Sequence, residues 1–281
     1  MLFRSVSEAR ADGTERGDCE GGPGLAAEEV GAELARPVGG RRPPPAMNIR
    51  SNLADVRARI ARAAGRAGRD PQSIRLVAIS KTFPADAVRE AAAAGQIDFG
   101  ENRIQEALPK MDRTADLPLR WHLVGHLQSN KAKKAGARFD LIHSVDSVDL
   151  LSRIDEAAAA ARRRIDVLVQ VDLAGEATKH GAREAELATV FAAARDRRAV
   201  RLVGLMLLPP AVDDPDAARP FFRALRDVRD RLMAAGVDPL MVAELSMGMS
   251  HDFEVAVEEG ATMVRVGSAI FGARSPVRAE G

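Results

Sequence analysis

Ile74-Arg75-Leu76-Val77-Ala78-Ile79-Ser80-Lys81 is the stretch that decides the fold of this chain. Its apolar centre predicts a buried strand, and the strand runs directly into a lysine. In a parallel barrel or sheet the carboxyl end of a strand faces the ligand site, so the amine of Lys81 lies where chemistry is normally done. A partly desolvated amine in that place can form a Schiff base. The stretch therefore predicts an α/β fold with a reactive lysine at its ligand site.

Short apolar runs alternate with helical patterns along the rest of the chain, which is typical of an α/β protein. Eight strands are predicted, at residues 75–80, 97–99, 121–124, 141–143, 167–171, 202–206, 242–245 and 263–266. Eight strand–helix units in this length favour a single closed (β/α)8 TIM-type barrel over an open doubly wound sheet. Before the first strand, Leu53, Val56, Ile60 and Ala63 form an apolar stripe, which predicts an additional N-terminal helix.

Composition restricts the partners and the compartment. Lysine and arginine total 41 against 40 acidic residues, a formal net charge of +1, so no overall field attracts nucleic acid or an anionic membrane. The single cysteine, Cys19, cannot form an internal disulfide, and no stretch has the apolar length of a membrane span or a secretory signal. We expect a small-molecule partner, no nucleic acid and no membrane, and a cytoplasmic location. A monomer is the expected state, since no interface pattern stands out.

The first 46 residues differ in composition from the remainder. Glycine and proline clusters, such as Gly21-Gly22-Pro23-Gly24 and Pro43-Pro44-Pro45, are separated by scattered charges, and such a segment cannot bury a core. A mitochondrial transit peptide is the alternative, but its acidic residues argue against one. We therefore predict a disordered extension over residues 1–46 and a barrel domain over 47–281. We hypothesise that Met47 is the biological start.

Polar and glycine-rich segments follow the predicted strands, and in a barrel these segments meet on one face. Ser246-Met247-Gly248-Met249-Ser250 follows the seventh strand, and Gly267-Ser268 follows the eighth. These two places are the usual phosphate site of the fold, because glycine lets backbone N–H groups approach and a helix N-terminus adds positive potential. Arg265 in the eighth strand needs a ligand or an acid as partner. With Lys81, these residues suggest an aldehyde-bearing phosphate ligand, and pyridoxal 5′-phosphate has that shape.

Structural alternatives exist for several of these residues. Arg265 could pair with Glu244 on the preceding strand. Asn102 and Glu101, which follow the second strand, could form the N-cap pair of the next helix. His122 alternates with apolar neighbours, so it is more typical of a core or rim histidine than of a catalyst. The other histidines show no metal-ligand spacing, and no metal site is expected. Lys179 is either a second site cation or an exposed loop residue.

Several motifs together resemble the pyridoxal-phosphate homeostasis protein family. They are VAISKT (77–82), FGEN (99–102), WHLVGHLQSNK (121–131), GLM (204–206), SMGMS (246–250) and RVGSAIFG (265–272). The resemblance covers residue 47 to about residue 274, in the family's order, and the segment before Met47 has no counterpart.

The resemblance implies a barrel like the N-terminal domain of alanine racemase, with pyridoxal 5′-phosphate as an aldimine on Lys81. It implies that Ser246, Gly267 and Ser268 hold the phosphate, that Arg265 faces the pyridine nitrogen and that Asn102 lies beside the ring. An arginine there stays protonated and does not readily give the ring nitrogen a proton, which weakens the electron sink. No catalytic residue is expected, and the predicted cofactor-binding residues are Lys81, Asn102, Ser246, Met247, Gly248, Arg265, Gly267 and Ser268.

Three functions are compatible with a lysine and a phosphate site on this fold. We favour a non-catalytic protein that binds the cofactor, limits free aldehyde and delivers it to pyridoxal-phosphate-dependent apo-enzymes. An amino-acid racemase is the alternative, but alanine racemases use a tyrosine from a second domain as base, and this chain contains no tyrosine. A Schiff-base aldolase is the third, and no acid/base pair around Lys81 supports it.

Overall fold

The computed structural model describes residues 48–173 and 180–272. The extension over residues 1–46, the proposed start at Met47 and Lys179 lie outside the described residues. The first described element is helix α1 (Ile49–Arg66), whose N-terminus is capped by the Asn48 side chain, since its Oδ1 accepts a hydrogen bond from Ser51 N at 2.9 Å. The apolar stripe predicted for this helix is buried, so the additional N-terminal helix is confirmed.

Eight parallel strands close into one barrel in chain order. They are β1 (Arg75–Ile79), β2 (Asp98–Glu101), β3 (Arg120–Leu123), β4 (Leu141–Val145), β5 (Ile165–Gln170), β6 (Val200–Met206), β7 (Glu244–Met249) and β8 (Met263–Val266). The ring is closed by β1 and β8, which pair in parallel from Arg75 opposite Met263 to Ala78 opposite Val266. The predicted single (β/α)8 barrel is confirmed.

Helices follow the strands and surround the barrel. Those in the described ranges after α1 are α2 (Ala85–Ala93), α3 (Ile104–Arg113), α4 (Ala132–Arg138), α5 (Val148–Ala160), α6 (Glu184–Ala194), α7 (Arg219–Ala234), α8 (Phe253–Glu258) and α9 (Ser268–Phe271). Helix α1 packs on α8 and α9, where Asn52 Nδ2 donates to Ile270 O at 2.8 Å and Arg59 pairs with Glu254 at 2.9 Å. No described helix has both the length and the apolarity to cross a membrane.

The largest core lies between the strands and the surrounding helices. Two smaller apolar clusters lie apart from it: Val77, Ile79 and Val124 form one, and Leu141, Leu168, Val203, Met206 and Met263 form the other. Successive side chains of a barrel strand alternate between its interior and its helix-covered outer side. The interior is not wholly apolar, however, because His122, His143, Ser246 and Arg265 are buried on four of the strands.

Strand β7 differs most from its prediction. We expected a strand over 242–245 followed by a loop over 246–250, but Ser246 to Met249 continue the strand. Ser246 pairs with Met206 of β6, and the pairing with β8 resumes at Met249 after a register irregularity. Serine and glycine have low strand propensity, and only these pairings between distant segments keep them in the sheet. The other strand ends shift by no more than two residues, the usual uncertainty of element boundaries.

Candidate functional site

A cavity of about 430 Å³ opens at the carboxyl ends of the strands. The residues that line it lie at the ends of β1, β7 and β8 or directly after β1, β2, β3, β6, β7 and β8, so six of the eight strands contribute to the cavity. The lining residues are Ile79, Lys81, Phe83, Asn102, Val124, Gly125, His126, Leu208, Met249, Ser250, His251, Arg265, Gly267, Ser268 and Gly272. The volume is in the range of small-molecule sites. Five of the eight predicted site residues are in this set: Lys81, Asn102, Arg265, Gly267 and Ser268.

Lys81 lies directly beyond β1 and is half-buried. The backbone on both sides of it is constrained. Ser80 before it is fully buried and donates through Oγ to Glu101 Oε1 at 2.7 Å. Thr82 after it adopts φ +68°, a left-handed conformation that is unfavourable for a β-branched residue. Strained backbone of this kind is concentrated at functional sites, where the surrounding structure maintains it.

Arg265 places a buried positive charge on the cavity wall. Its side chain donates through NH1 to Ser246 Oγ at 2.6 Å and through NH2 to Leu207 O at 2.8 Å. Burial lowers the pKa of Arg265 to about 10, and the charge of Asp252 opposes the shift, so the guanidinium stays protonated at neutral pH. The alternative pairing with Glu244 is wrong, because Glu244 instead lies 3.6 Å from Arg75.

No ion pair among the described residues neutralises Arg265, although it is only 4% exposed. A buried charge without a counter-ion is unfavourable, and a ligand that carries acceptors or negative charge would compensate it. The cavity is therefore suited to an acceptor-rich, anionic ligand.

The loop after β8 directs backbone N–H groups toward Ser250, a residue of the cavity wall. Gly267 N and Ala269 N, at the start of α9, both donate to Ser250 Oγ, at 3.0 and 3.5 Å. Amides directed in this way are typical donors for phosphate oxygens. Ser250 lines the cavity but was not among the predicted site residues. The available signal was its place in the SMGMS motif, two residues after a glycine.

Ser246, Met247 and Gly248 do not line the cavity. Ser246 is buried in β7, behind Arg265, and Met247 is a fully buried core residue. Gly248 adopts φ +90°, and a Cβ there would lie 2.5 Å from Ala256 Cβ of α8. Glycine is therefore required at this position by the backbone bend at the end of β7 and by the close packing of α8.

The alternative that Asn102 and Glu101 cap helix α3 is wrong. Glu101 is the last residue of β2 and forms a buried ion pair with Lys110 at 2.6 Å, while the N-cap residue of α3 is Arg103. Asn102 lies between them and contributes to the cavity wall. The loop after β3 approaches it closely, since a Cβ on Gly125 would be 2.3 Å from Asn102 O.

Four of the five histidines form two pairs, one buried and one at the cavity rim. His122 lies in the barrel interior, as its alternation with apolar neighbours indicated, and it hydrogen-bonds to His143. His126 lies on the cavity rim with its ring stacked on that of His180, the centroids 3.5 Å apart. Burial, followed by the charge of His180, lowers the pKa of His126. Within the described ranges, no group of three or more His, Cys, Asp or Glu residues could hold a metal ion.

Comparison with known proteins identifies close relatives. A family model described as the alanine racemase N-terminal domain matches residues 51–275. The pyridoxal phosphate homeostasis protein of Pseudomonas aeruginosa is 46% identical over 226 residues, which cover 80% of this chain and 96% of the relative. The protein of the same name from Aquifex aeolicus is 42% identical over 228 residues, which cover 81% and 99%.

Solved structures also resemble this chain. PipY of Synechococcus elongatus, with pyridoxal phosphate bound, is 40% identical with a TM-score of 0.70, over 80% of this chain and all of that chain. An alanine racemase from Clostridium difficile is 17% identical with a TM-score of 0.61, over 82% of this chain and 58% of that chain, a likeness that concerns the fold alone.

Proposed function

The chain belongs to the pyridoxal phosphate homeostasis protein family, and from this premise we propose that it binds pyridoxal 5′-phosphate in the cavity at the carboxyl ends of the strands. The observation that carries the proposal is the juxtaposition of Lys81 and the un-neutralised, buried Arg265 on one cavity wall, beside the amides of the β8 loop. A primary amine, a fixed cation and a cluster of N–H donors match the aldehyde, the ring nitrogen and the phosphate of this ligand.

Each group has a separate task in this proposal. The Lys81 amine condenses with the aldehyde to a Schiff base, with release of one water. The amides of Gly267 and Ala269 and the hydroxyl groups of Ser250 and Ser268 bind the phosphate, so Ser250 exchanges its present intramolecular hydrogen bonds for ligand contacts. The bound cofactor supplies an electrophilic carbonyl carbon and an aromatic ring that can withdraw electrons.

Arg265 supports the proposal of carriage without substantial turnover. A guanidinium facing the ring nitrogen keeps its own proton, because it remains protonated at neutral pH even with its pKa lowered to about 10. A ring nitrogen held there would stay unprotonated and would withdraw electrons weakly. We infer a cytoplasmic protein that buffers pyridoxal 5′-phosphate and delivers it to apo-enzymes. The name of its relatives supports a part in homeostasis of this cofactor.

Reductive trapping tests the attachment point. Full-length protein is incubated with pyridoxal 5′-phosphate, reduced with borohydride, digested and mapped by mass spectrometry. We expect the phosphopyridoxyl group on the peptide containing Lys81 and no trapped adduct in Lys81→Ala. The matched control is Lys133→Ala on α4, an exposed lysine outside the cavity, which should label like the unmodified protein. Labelling that persists at the same level in Lys81→Ala would contradict the proposal.

Turnover distinguishes the carrier from the racemase. Loaded protein is assayed for racemisation of L-alanine and, separately, for reactivation of an apo-form aminotransferase. We expect reactivation without sustained racemisation. Racemisation at ordinary enzyme rates, about 1 s⁻¹ or faster, would overturn the carrier role while leaving cofactor binding intact.

A further inference from the structure

A continuous row of hydrogen bonds crosses the barrel interior behind the cavity. Arg265 NH1 donates to Ser246 Oγ at 2.6 Å, and Ser246 Oγ lies 2.9 Å from His143 Nδ1. His143 Nε2 lies 2.9 Å from His122 Nδ1, and His122 Nε2 lies 2.9 Å from Asp98 Oδ1. We name these five residues the polar chain; they come from β8, β7, β4, β3 and β2.

The polar chain is buried throughout, from 0% exposure at Ser246 and His143 to 6% at Asp98. Burial of polar groups is unfavourable unless each is hydrogen-bonded, and barrel interiors are commonly filled by branched apolar residues instead. Its two ends lie at opposite ends of the barrel: Arg265 lines the cavity, while Asp98 begins β2 and pairs with the half-exposed Arg120 at 2.7 Å. Stability alone gives no reason for such a connection.

The two ends determine the direction of the first and last hydrogen bonds, and the protonation of the histidines determines the direction of the two between them. A guanidinium can only donate, and an ionised carboxylate can only accept. Burial opposes ionisation of Asp98, but hydrogen bonds from His122 and Arg120 outweigh it and lower the pKa of Asp98. Burial also keeps the pKa of His143 well below its ordinary value, so its ring is neutral. With the His122 ring also neutral, one arrangement satisfies all the groups: Ser246 donates to His143, His143 donates through Nε2 to His122, and His122 donates through Nε2 to Asp98.

This arrangement has a consequence for Arg265. Because Ser246 gives its proton to His143, its oxygen presents only lone pairs to the guanidinium. Aligned hydrogen bonds polarise one another, so the carboxylate of Asp98 strengthens each acceptor along the row, up to Ser246 Oγ. NH1 and NH2 of Arg265 are thereby fixed by acceptors within the protein, at a residue that also lines the cavity.

We propose that Asp98, His122, His143 and Ser246 are positioning residues that fix the orientation of Arg265 toward the cofactor ring from the opposite end of the barrel. The inference rests on the proposed function for its ligand, but the direction of the polar chain is a property of the protein alone. The direction of the polar chain and its effect on ligand binding are therefore tested separately.

Nuclear magnetic resonance of the histidine rings tests the direction in the full-length protein without ligand. In ¹⁵N-labelled protein, the coupling pattern of ring nitrogens with ring protons distinguishes the two neutral tautomers from the charged form. We expect His122 and His143 both to be neutral with the proton on Nε2. Histidine-to-asparagine variants assign the signals of the five histidines. A proton on Nδ1 of His143, or a charged His143 at neutral pH, would overturn the proposal.

Matched variants test the positioning. Ser246→Ala removes one of the two hydrogen-bond acceptors of Arg265, whereas Ser144→Ala removes a buried hydroxyl whose Oγ has no hydrogen-bond partner among the described residues. We expect about a tenfold weaker binding of pyridoxal 5′-phosphate and a shifted visible absorption maximum in Ser246→Ala, as for the loss of a charged hydrogen bond. Ser144→Ala should match the unmodified protein in both measurements.

Two substitutions at His143 cut the polar chain at different links. The amide of His143→Asn can replace Nδ1 and keep the contact with Ser246, while that of His143→Gln can replace Nε2 and keep the contact with His122. If the polar chain acts as a unit, both variants shift the absorption maximum in the direction seen for Ser246→Ala. Melting temperatures show whether the two variants fold. Folded variants with the affinity and absorption spectrum of the unmodified protein would overturn the proposal. If unmodified protein binds no pyridoxal 5′-phosphate, the proposed function fails, and the tautomer measurement alone decides the direction.

Discussion

At the scale of single residues, the ion pair of Glu101 and Lys110 anchors the backbone that precedes Lys81. Lys110 Nζ donates to Glu101 Oε1 at 2.6 Å and to Ser80 O at 2.7 Å, so it ties the end of β1 to the end of β2. Burial raises the pKa of Glu101 against the opposing effect of Lys110, and Glu101 Oε2 has no hydrogen-bond partner among the described residues. The carboxylate therefore depends on Lys110 for its charge compensation.

Loss of Lys110 should consequently destabilise the folded protein. In Lys110→Met, Glu101 is left buried without its counter-ion, and we expect the free energy of unfolding to fall by about 3–5 kcal/mol, the usual effect of breaking a buried ion pair. Urea denaturation measures the change. Arg153→Met is the control, since it breaks the exposed pair with Asp149 and should leave stability nearly unchanged. Equal stability of the two variants would show that the pair contributes little.

The pH dependence of stability should reveal the buried state of His143. Burial, to which the charges of Arg265 and Arg75 add, keeps its pKa well below the ordinary value of 6.5, so below that pH the unfolded chain binds a proton that the folded chain does not. Its contribution to stability is present above pH 6.5 and is lost as the pH falls, with a slope of at most about 1.4 kcal/mol per pH unit. Denaturation between pH 7.5 and 5 should show a shallower decline in His143→Asn. An identical slope in both proteins would contradict a buried neutral ring.

At the scale of elements, close approach of loops shapes the cavity. The loop after β3 passes Asn102 so closely that only glycine fits at residue 125, since a Cβ would lie 2.3 Å from a backbone oxygen. Helix α1 provides the contrast, because a Cβ added at Gly65, near its C-terminal end, would have no neighbouring atom within 4 Å, and this glycine has no positive φ. Substitution of glycine by alanine is therefore expected to destabilise the loop after β3 and to stabilise helix α1.

Gly125→Ala should displace the loop after β3 from Asn102. We expect a loss of about 1–3 kcal/mol in the free energy of unfolding, as for overpacking, together with weaker binding of pyridoxal 5′-phosphate. Gly65→Ala should instead stabilise the protein by about 0.5–1 kcal/mol through helix propensity and leave binding unchanged. Urea denaturation and a binding titration measure both effects. Unimpaired binding in Gly125→Ala would show that the loop position is unimportant for the ligand.

At the scale of the whole molecule, the barrel and its additional helix contain every predicted site residue. The family match spans residues 51–275, and the described residues begin at 48. Helix α1 buries Leu53, Val56 and Ile60 and packs on α8 and α9, so it supports the element that begins at the proposed phosphate site.

Two shortened chains separate the extension from this helix. A chain beginning at Met47 should keep the melting temperature and the affinity for pyridoxal 5′-phosphate of the full chain. A chain beginning at residue 67 lacks α1 and should lose stability, since each large apolar side chain buried by the helix contributes about 1.5–3 kcal/mol. Thermal denaturation and a binding titration compare them. A lower affinity in the chain beginning at Met47 would assign the first 46 residues a part in binding.

Much of the architecture could be predicted from local sequence patterns. Apolar runs at strand spacing predicted eight strands, and the residues directly after or within them, Lys81, Asn102, Arg265, Gly267 and Ser268, line one cavity. This worked because a parallel barrel brings the carboxyl ends of all its strands to one face, so position along a strand predicts position in space. Ser250 was missed as a site residue because its contacts with Gly267 and Ala269 are not local.

The sequence by itself therefore determined the strand order, the closed barrel and the face that carries the site, since each follows from periodicity over a few neighbouring residues. Only the tertiary structure decided that β7 continues through Ser246, that Glu101 pairs with Lys110 rather than capping a helix, and that the polar chain reaches Arg265. The contact between His143 and Ser246 joins residues 103 positions apart. Such a contact forms only when the barrel closes, and no local pattern in the chain encodes it.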